Sequence, residues 1–299
     1  HSQILHPSHP MVVRPAVRAD EHQITNLLFF SPHIHRHLDW RSPLDWLGSP
    51  RYWALEEYGQ IHAILACPED PASISWIRLF AHSSLLSGPQ AWSPLWEATL
   101  SEIGAAGGGT VAAIVNQYWF SSLLYASGFE LYQYIVLLEW QEQPFHPRPL
   151  PPHVQIRPMR PDDLLAVSTV DAAAFAPLWR NSLATTQRAY SQALSATVAE
   201  LDGELVGYQI STSAQQGAHL ARLAVRPEAQ GSGIGAALVS DLIQQLRQRG
   251  GRRLSVNTQA DNAASLALYQ KIGFVRTGEE YPVFVYPVKE TPWSNEQMR

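Results

Sequence analysis

The chain has 299 residues and a formal net charge of -5 at pH 7, so it carries no basic footprint for nucleic acid. Its 45% hydrophobic and 16% charged residues describe a globular protein with a real core, not a disordered chain. One cysteine, Cys67, excludes an intramolecular disulfide and a thiolate metal cluster; no apolar run is long enough to span a bilayer and "HSQILHPSHP" holds no signal core, so no membrane association and a cytoplasmic location are expected.

A prior of roughly 150 residues per domain suggests two domains. In chain order, "VVRPAVRADE" is a short strand, then Arg-Pro, then an acid able to cap a helix. "SPHIHRHLDW" places His33, His35 and His37 in alternation. On a strand they would share one face and could bind a metal; the flanking proline favours a loop or helix turn, and no metal is expected. "EEYGQIHAILA" reads as a hairpin turning at Gly59. "WIRLFA" and, later, "LLYASGFE" follow it. Many of the ten tryptophans lie in this half, available for an aromatic cleft or for the core.

Gln141–Pro152, "QEQPFHPRPLPP", contains five prolines and reads as a stiff linker with little that could pack. Beyond it the pattern restarts. "VQIRPMRPDD" matches the first opening, "ELDGELVGYQI" the hairpin (now with its turn at Gly203), "LARLAV" the next strand and "ALYQKIGFV" the end. Four matches in one order indicate an internal duplication.

The second half predicts a strand over 154–157, a helix over 161–174 and a helical segment near 183–194. Strands follow over 196–201, 205–213 and 218–225. Leu238, Leu242, Ile243 and Leu246 give the buried stripe of a helix over 234–249, ended by Gly250 and Gly251. After a strand over 253–258, Asp261 or Asn262 caps a helix through Ile272, and strands over 274–277 and 282–288 close the domain. The class is α/β (α+β), a mixed sheet with helices on both faces.

At the start of the long helix stands "QGSGIG", residues 230–235. Such a glycine cluster is either a tight turn or an anion cradle, in which bare N–H groups at a helix N-terminus face a phosphate. Gly-Lys-Ser/Thr is absent, so this is no metal-dependent P-loop, and the spacing does not fit a dinucleotide fold.

"LARLAVRPEAQGSGIGAALV" followed by "NAASLALYQKIGF" resembles the GNAT superfamily of acetyl-CoA-dependent N-acetyltransferases. Gln230, Gly233 and Gly235 fit that family's Q/R-x-x-G-x-G/A loop. The resemblance implies two tandem GNAT-like domains, each a mixed, mostly antiparallel sheet flanked by helices. Residues 1–140 would be a degenerate copy without the CoA loop, 141–152 the linker, and 153–299 the acetyltransferase domain. It further implies that the backbone of Leu223, Ala224 and Val225 pairs with the pantetheine arm. Gln230, Gly231, Ser232, Gly233, Ile234, Gly235 and Ala236 would hold the pyrophosphate. Asn262 and Ser265 would lie close to the cofactor, and Asn262 also reads as a plain helix cap. Tyr269 would be the general acid that protonates the leaving thiolate, against a reading as a packed aromatic. The Val225 amide would be the oxyanion donor.

A base is harder to place. Where many relatives carry Glu, this chain has Arg222, which cannot accept a proton. Arg222 is left between binding an acidic acceptor and pairing a structural carboxylate. His219, Glu200 and Tyr208 are the candidate bases; strand alternation puts His219 and Arg222 on opposite faces unless a bulge intervenes. "AFAPLWRNS" falls where the family shapes its acceptor site, and Trp179 is either a wall of that site or core. In the first half "SGPQAWSPLW" has no glycine loop, Leu124 stands for the tyrosine and Gln117 for the asparagine. The expected function is acetyl transfer from acetyl-CoA to a primary amine, a small molecule or peptide N-terminus, in a monomer or homodimer. The alternative is a non-catalytic acyl-CoA sensor or interaction module.

Overall fold

A computed structural model describes residues 11–292; His1–Pro10, read above for a signal core, and residues 293–299 lie outside it. The described chain divides into two compact units. The first holds the residues up to Tyr132 together with those from Pro282 on, and the second is Gln133–Tyr281. The proline-rich segment thus falls inside the second unit, not at the division.

In the first unit β1 (Val12–Pro15), α1 (Glu21–Phe30) and β2 (His33–Arg36) are followed by the hairpin β3 (Tyr52–Glu57) and β4 (Gln60–Ala66). Then come β5 (Ile74–Trp76), β6 (Leu79–His82), α2 (Gly88–Ala105), β7 (Gly109–Ile114), α3 (Tyr118–Ala126) and β8 (Glu130–Gln141), which runs across the division. One sheet has the order β1-β3-β4-β6-β2, while β5 pairs in parallel with β7, and β7 with residues from Val283 on. The core centres on Phe80, Trp92, Trp96, Phe120 and Phe129, so these tryptophans are packing residues.

In the second unit, after β8, come β9 (Val154–Pro158), α4 (Leu164–Ala174), α5 (Leu183–Ser191), β10 (Ser195–Leu201), β11 (Glu204–Ala214) and β12 (Gly217–Val225). They are followed by α6 (Ile234–Gln248), β13 (Arg253–Gln259), α7 (Ala263–Ile272) and β14 (Val275–Val288), one continuous strand where the sequence suggested two. The strand order is β8-β13-β12-β11-β10-β9. Val136, Leu138 and Trp140 of β8 are fully buried against Leu242, Leu254 and Val256. The proline-rich segment is largely exposed but touches the rest of the second unit at several points. Phe145 seats against Trp140, the Arg148 N–H donates to Ser240 Oγ at 3.0 Å, and Pro151 approaches Gly233.

The duplication is visible atom by atom. Arg14 donates from Nε to Glu56 at 2.7 Å and from both terminal nitrogens to Asp20 at 2.8 and 2.9 Å. Arg157 makes the same three bonds, to Glu200 at 2.7 Å and to Asp163 at 2.8 and 2.8 Å. In each copy the acid also accepts a backbone N–H, from Val17 or from Arg160, and so closes the turn into its helix.

The histidine segment is a strand, not a loop, and each ring packs against a different neighbour. His33 stacks on His82 at 4.7 Å, His35 bonds the Ile77 carbonyl and stacks on Phe120, and His37 lies against Trp76.

Candidate active site

The site is built where β12 loses a neighbour. Its ladder with β13 runs from Gly217↔Arg253 to Leu220↔Val256 and stops. On its other side the ladder with β11 continues to Gly207↔Val225, with a slip at which Ile210 faces Arg222 and Ser211 faces Leu220. Ala221 is the extra residue of a bulge, and bulges bend the strand that carries them. From Ala221 to Val225 one edge of β12 is therefore unpaired. The Arg226 N–H bonds Val206 on β11 at 2.8 Å. By alternation the N–H groups of Val225 and Leu223 face the open edge, while Ala224 contributes backbone between them.

The strand leads into the glycine loop. Gly231 and Gly233 have φ of +81° and +88°, values that L side chains rarely adopt. Gly235 is small for a different reason, since a Cβ there would stand 3.0 Å from Leu268 Cδ1. Gly233 is the N-cap of α6 and supplies no side-chain acceptor, so the first N–H groups, at Ile234, Gly235 and Ala236, have no cap bond. Gln230 and Ser232 turn inward and brace the loop, donating to the carbonyls of Val225 (2.8 Å) and Ala229 (2.7 Å). An uncapped helix start and an unpaired strand edge thus lie within one strand–loop–helix passage. Together they fit a phosphate-bearing, strand-like ligand.

Asn262 is a cap, its Oδ1 accepting the Ser265 N–H at 3.1 Å. Tyr269 is 4% exposed and packs on Phe274 at 5.2 Å. Its hydroxyl has no hydrogen-bond partner among the described residues, and burial pushes the phenol above its ordinary value, so it stays protonated at neutral pH.

The bulge also settles the faces. Residues opposed across a ladder share a face. Arg222 faces Ile210 and His219 faces Thr212, and Ile210 and Thr212 lie on one face. His219 and Arg222 are therefore on the same side of the sheet, the side bearing α4. There Asp171, fully buried, accepts from Arg222 Nε at 2.8 Å and Nη2 at 3.0 Å, from the Tyr208 hydroxyl and from the Asn181 N–H. The guanidinium stacks over Phe175 at 3.5 Å. Arg222 thus pairs a structural carboxylate. Tyr208 donates to that carboxylate, and burial and the Asp171 charge hold its proton, so it is no base. Glu200 is taken up by Arg157. His219 remains, with Nδ1 at 2.8 Å from Ser255 Oγ and Nε2 without a partner among the described residues. Burial lowers its pKa and so favours the neutral ring.

Sequence reasoning missed Asp171, although it is the single charge in α4 and an acid amid apolar residues is a visible signal. It also missed Gln133 and Asn257. The latter lies just past the last β12–β13 rung, its Oδ1 buried with no partner among the described residues.

The first unit closes the same features with its own atoms. β6 pairs on one edge with β4 and on the other with β2, from His33↔His82 to Arg36↔Leu79. The start of α2 is sealed by a capping box in which Ser87 Oγ accepts the Gln90 N–H and Gln90 Oε1 accepts the Ser87 N–H.

Residues 164–274 match the model of the acetyltransferase (GNAT) family. That stretch, which lies wholly in the second unit, is a GNAT-family segment. Over 81 residues the chain is 42% identical to the mycothiol acetyltransferase of Paenarthrobacter aurescens, a stretch that is 25% of each chain. Over 73 residues it is 37% identical to the Escherichia coli ribosomal protein bS18 alanine N-acetyltransferase, 24% of this chain and 49% of that one. The matched stretches thus span from a quarter to about half of these relatives. A tandem GNAT protein from the clavulanic acid biosynthesis pathway superposes over 94% of this chain and 100% of its own, with a TM-score of 0.65 at 16% identity, which is a likeness of fold. Among the described residues no helix is long and apolar enough to cross a membrane, and no group of three His, Cys, Asp or Glu side chains could hold a metal.

Proposed function

We propose that this protein transfers an acetyl group from acetyl-CoA to a primary amine, and that the second unit alone holds the donor. The observation that carries the reading is the coincidence of the unpaired β12 edge at Ala221–Val225 with the uncapped start of α6 at Gly233. Acetyl-CoA supplies the thioester. The Val225 N–H donates a hydrogen bond to the developing oxyanion. Leu223 pairs with the pantetheine arm, and the loop Gln230–Ala236 takes the pyrophosphate. Asn262 and Ser265 border the arm from α7. His219 Nε2 takes the proton from the attacking amine, and Tyr269 gives its proton to the leaving sulfur. A buried phenol holds its proton until the thiolate forms.

The name of the bS18 relative, an alanine N-acetyltransferase, supports an amine acceptor. In the first unit β2 and the capping box stand where the donor would lie, which supports a unit that binds no CoA. The test is a panel of primary amines with acetyl-CoA, followed by release of free CoA and by the mass of the acetylated product.

A further inference from the structure

Trp179 spans the opening of the sheet. From the β12 side, Arg222 Nη2 donates to its backbone carbonyl at 2.5 Å. From the β8 side, its indole Nε1 donates to Gln133 Oε1 at 3.0 Å, and Gln133 Nε2 stands 3.4 Å from Asp261 Oδ2, beside the cap of α7. β13, which lies between β8 and β12 in the sheet, pairs with β8 through Gln259↔Ile135 but with β12 only as far as Val256. Trp179 is thus held on both sides of the gap, its carbonyl by Arg222 and its indole by Gln133. The tether is rigid at its root. Asp171 is satisfied by four donors, two of them from Arg222, and its Oδ2 also fixes the Asn181 N–H two residues beyond Trp179. Arg222 sits in the acceptor-side strand yet is fully committed to this loop. That is a physical reason for an arginine where a proton acceptor is otherwise expected.

We propose that Trp179 is the residue that selects and orients the acceptor, and that Arg222 is its positioning residue. The inference rests on the acetyl-transfer reading above. A half-buried indole strung across the mouth offers a flat apolar wall to the group next to the reacting amine. The Arg222 charge is already neutralised by Asp171. The site therefore suits an amine whose neighbouring group is uncharged and small or flat, and not one flanked by a carboxylate.

The experiment uses the full chain, acetyl-CoA and two probe amines, an alanine-initiated peptide and free alanine. These present the same amine and side chain without and with an adjacent carboxylate. The wild type is expected to favour the peptide. Trp179→Phe keeps a ring but loses the bond to Gln133, and Gln133→Leu removes the same bond from the other side. Each should raise the KM of the peptide about tenfold, the size of one hydrogen bond of about 1.4 kcal/mol, with the KM of acetyl-CoA unchanged. The double variant should cost less than the two single effects combined, since the Trp179–Gln133 bond is lost in each. Arg222→Lys cannot hold Asp171 and the Trp179 carbonyl with one ammonium and should raise the same KM. Acceptor KM values unchanged in Trp179→Phe and Gln133→Leu, with wild-type turnover intact, would overturn this inference alone. No turnover of either probe by the wild type, with acetyl-CoA bound, would overturn it together with the acetyl-transfer reading.

Discussion

Ser87 and Gly233 are the N-caps of corresponding helices in two copies of one motif, and they do opposite things. Ser87 fills the first turn of α2 with its own hydroxyl, backed by Gln90, while Gly233 leaves the first turn of α6 without a cap bond. The same contrast holds for the strands leading into those helices, since β6 is paired on both edges and β12 past Leu220 on one. A closed copy and an open copy of one fold lie in the same chain.

The chain should therefore bind one acetyl-CoA, in its second unit. Gly233→Glu places a carboxylate in the turn proposed to hold a phosphate and forces a residue at φ +88°, a strain of about 1–2 kcal/mol. Calorimetry should find a stoichiometry of one for the wild type and no binding for the variant, with thermal melting showing that it remains folded. Two molecules bound per chain would contradict this.

Tyr269→Phe should lower kcat by about 10²–10⁴, the usual effect of losing a general acid, with little change in acetyl-CoA affinity. The ring keeps its contact with Phe274, and its hydroxyl makes no bond whose loss would unsettle the fold. An unchanged kcat would return Tyr269 to a packing role.

The pH dependence follows from His219. A base must be neutral, so activity rises as pH climbs through its pKa, and burial places that pKa below the ordinary imidazole value. The profile of kcat/KM should show an acid limb on the acidic side of about pH 6.5 that stays in place when the acceptor amine is changed. On the alkaline side, burial of Tyr269 keeps its proton beyond the ordinary tyrosine range, so no loss from that group is expected below about pH 10. In His219→Gln the fixed acid limb should vanish along with most of the rate. If it persists, the base is another group.

Much of this was legible in the sequence. The glycine loop, both hairpins at Gly59 and Gly203, the Asn262 cap and the repeated Arg-Pro-acid opening all rest on local rules and appear as read. What was not legible depends on partners distant in the chain. Nothing in "HLARLAV" marks Ala221 as a bulge, so alternation alone put His219 on the wrong face. His33–Arg36 became a strand because β6 offered it an edge. Phe145 was hidden among prolines, and its pocket beside Trp140 exists only once β8 lies against β13.

β8 also decides where the second unit can be cut. A fragment of 153–299, bounded as the sequence suggests, lacks Val136, Leu138 and Trp140, each fully buried in the core of that unit. At about 1.5–3 kcal/mol per large side chain the loss rivals the 5–15 kcal/mol stability of a typical domain. That fragment should fail to show a cooperative melt, whereas 133–281 should melt cooperatively and bind acetyl-CoA. A well-folded 153–299 would show that β8 is dispensable.

The most direct measurement of the central claim is turnover by the full chain on a panel of primary amines with acetyl-CoA, read as free CoA released and as a product one acetyl group heavier. The account predicts release that depends on the amine, a product acetylated on nitrogen, and loss of both in Gly233→Glu. Acetyl-CoA bound at one site per chain with no amine acetylated would contradict it and leave a protein that binds acyl-CoA without performing the transfer.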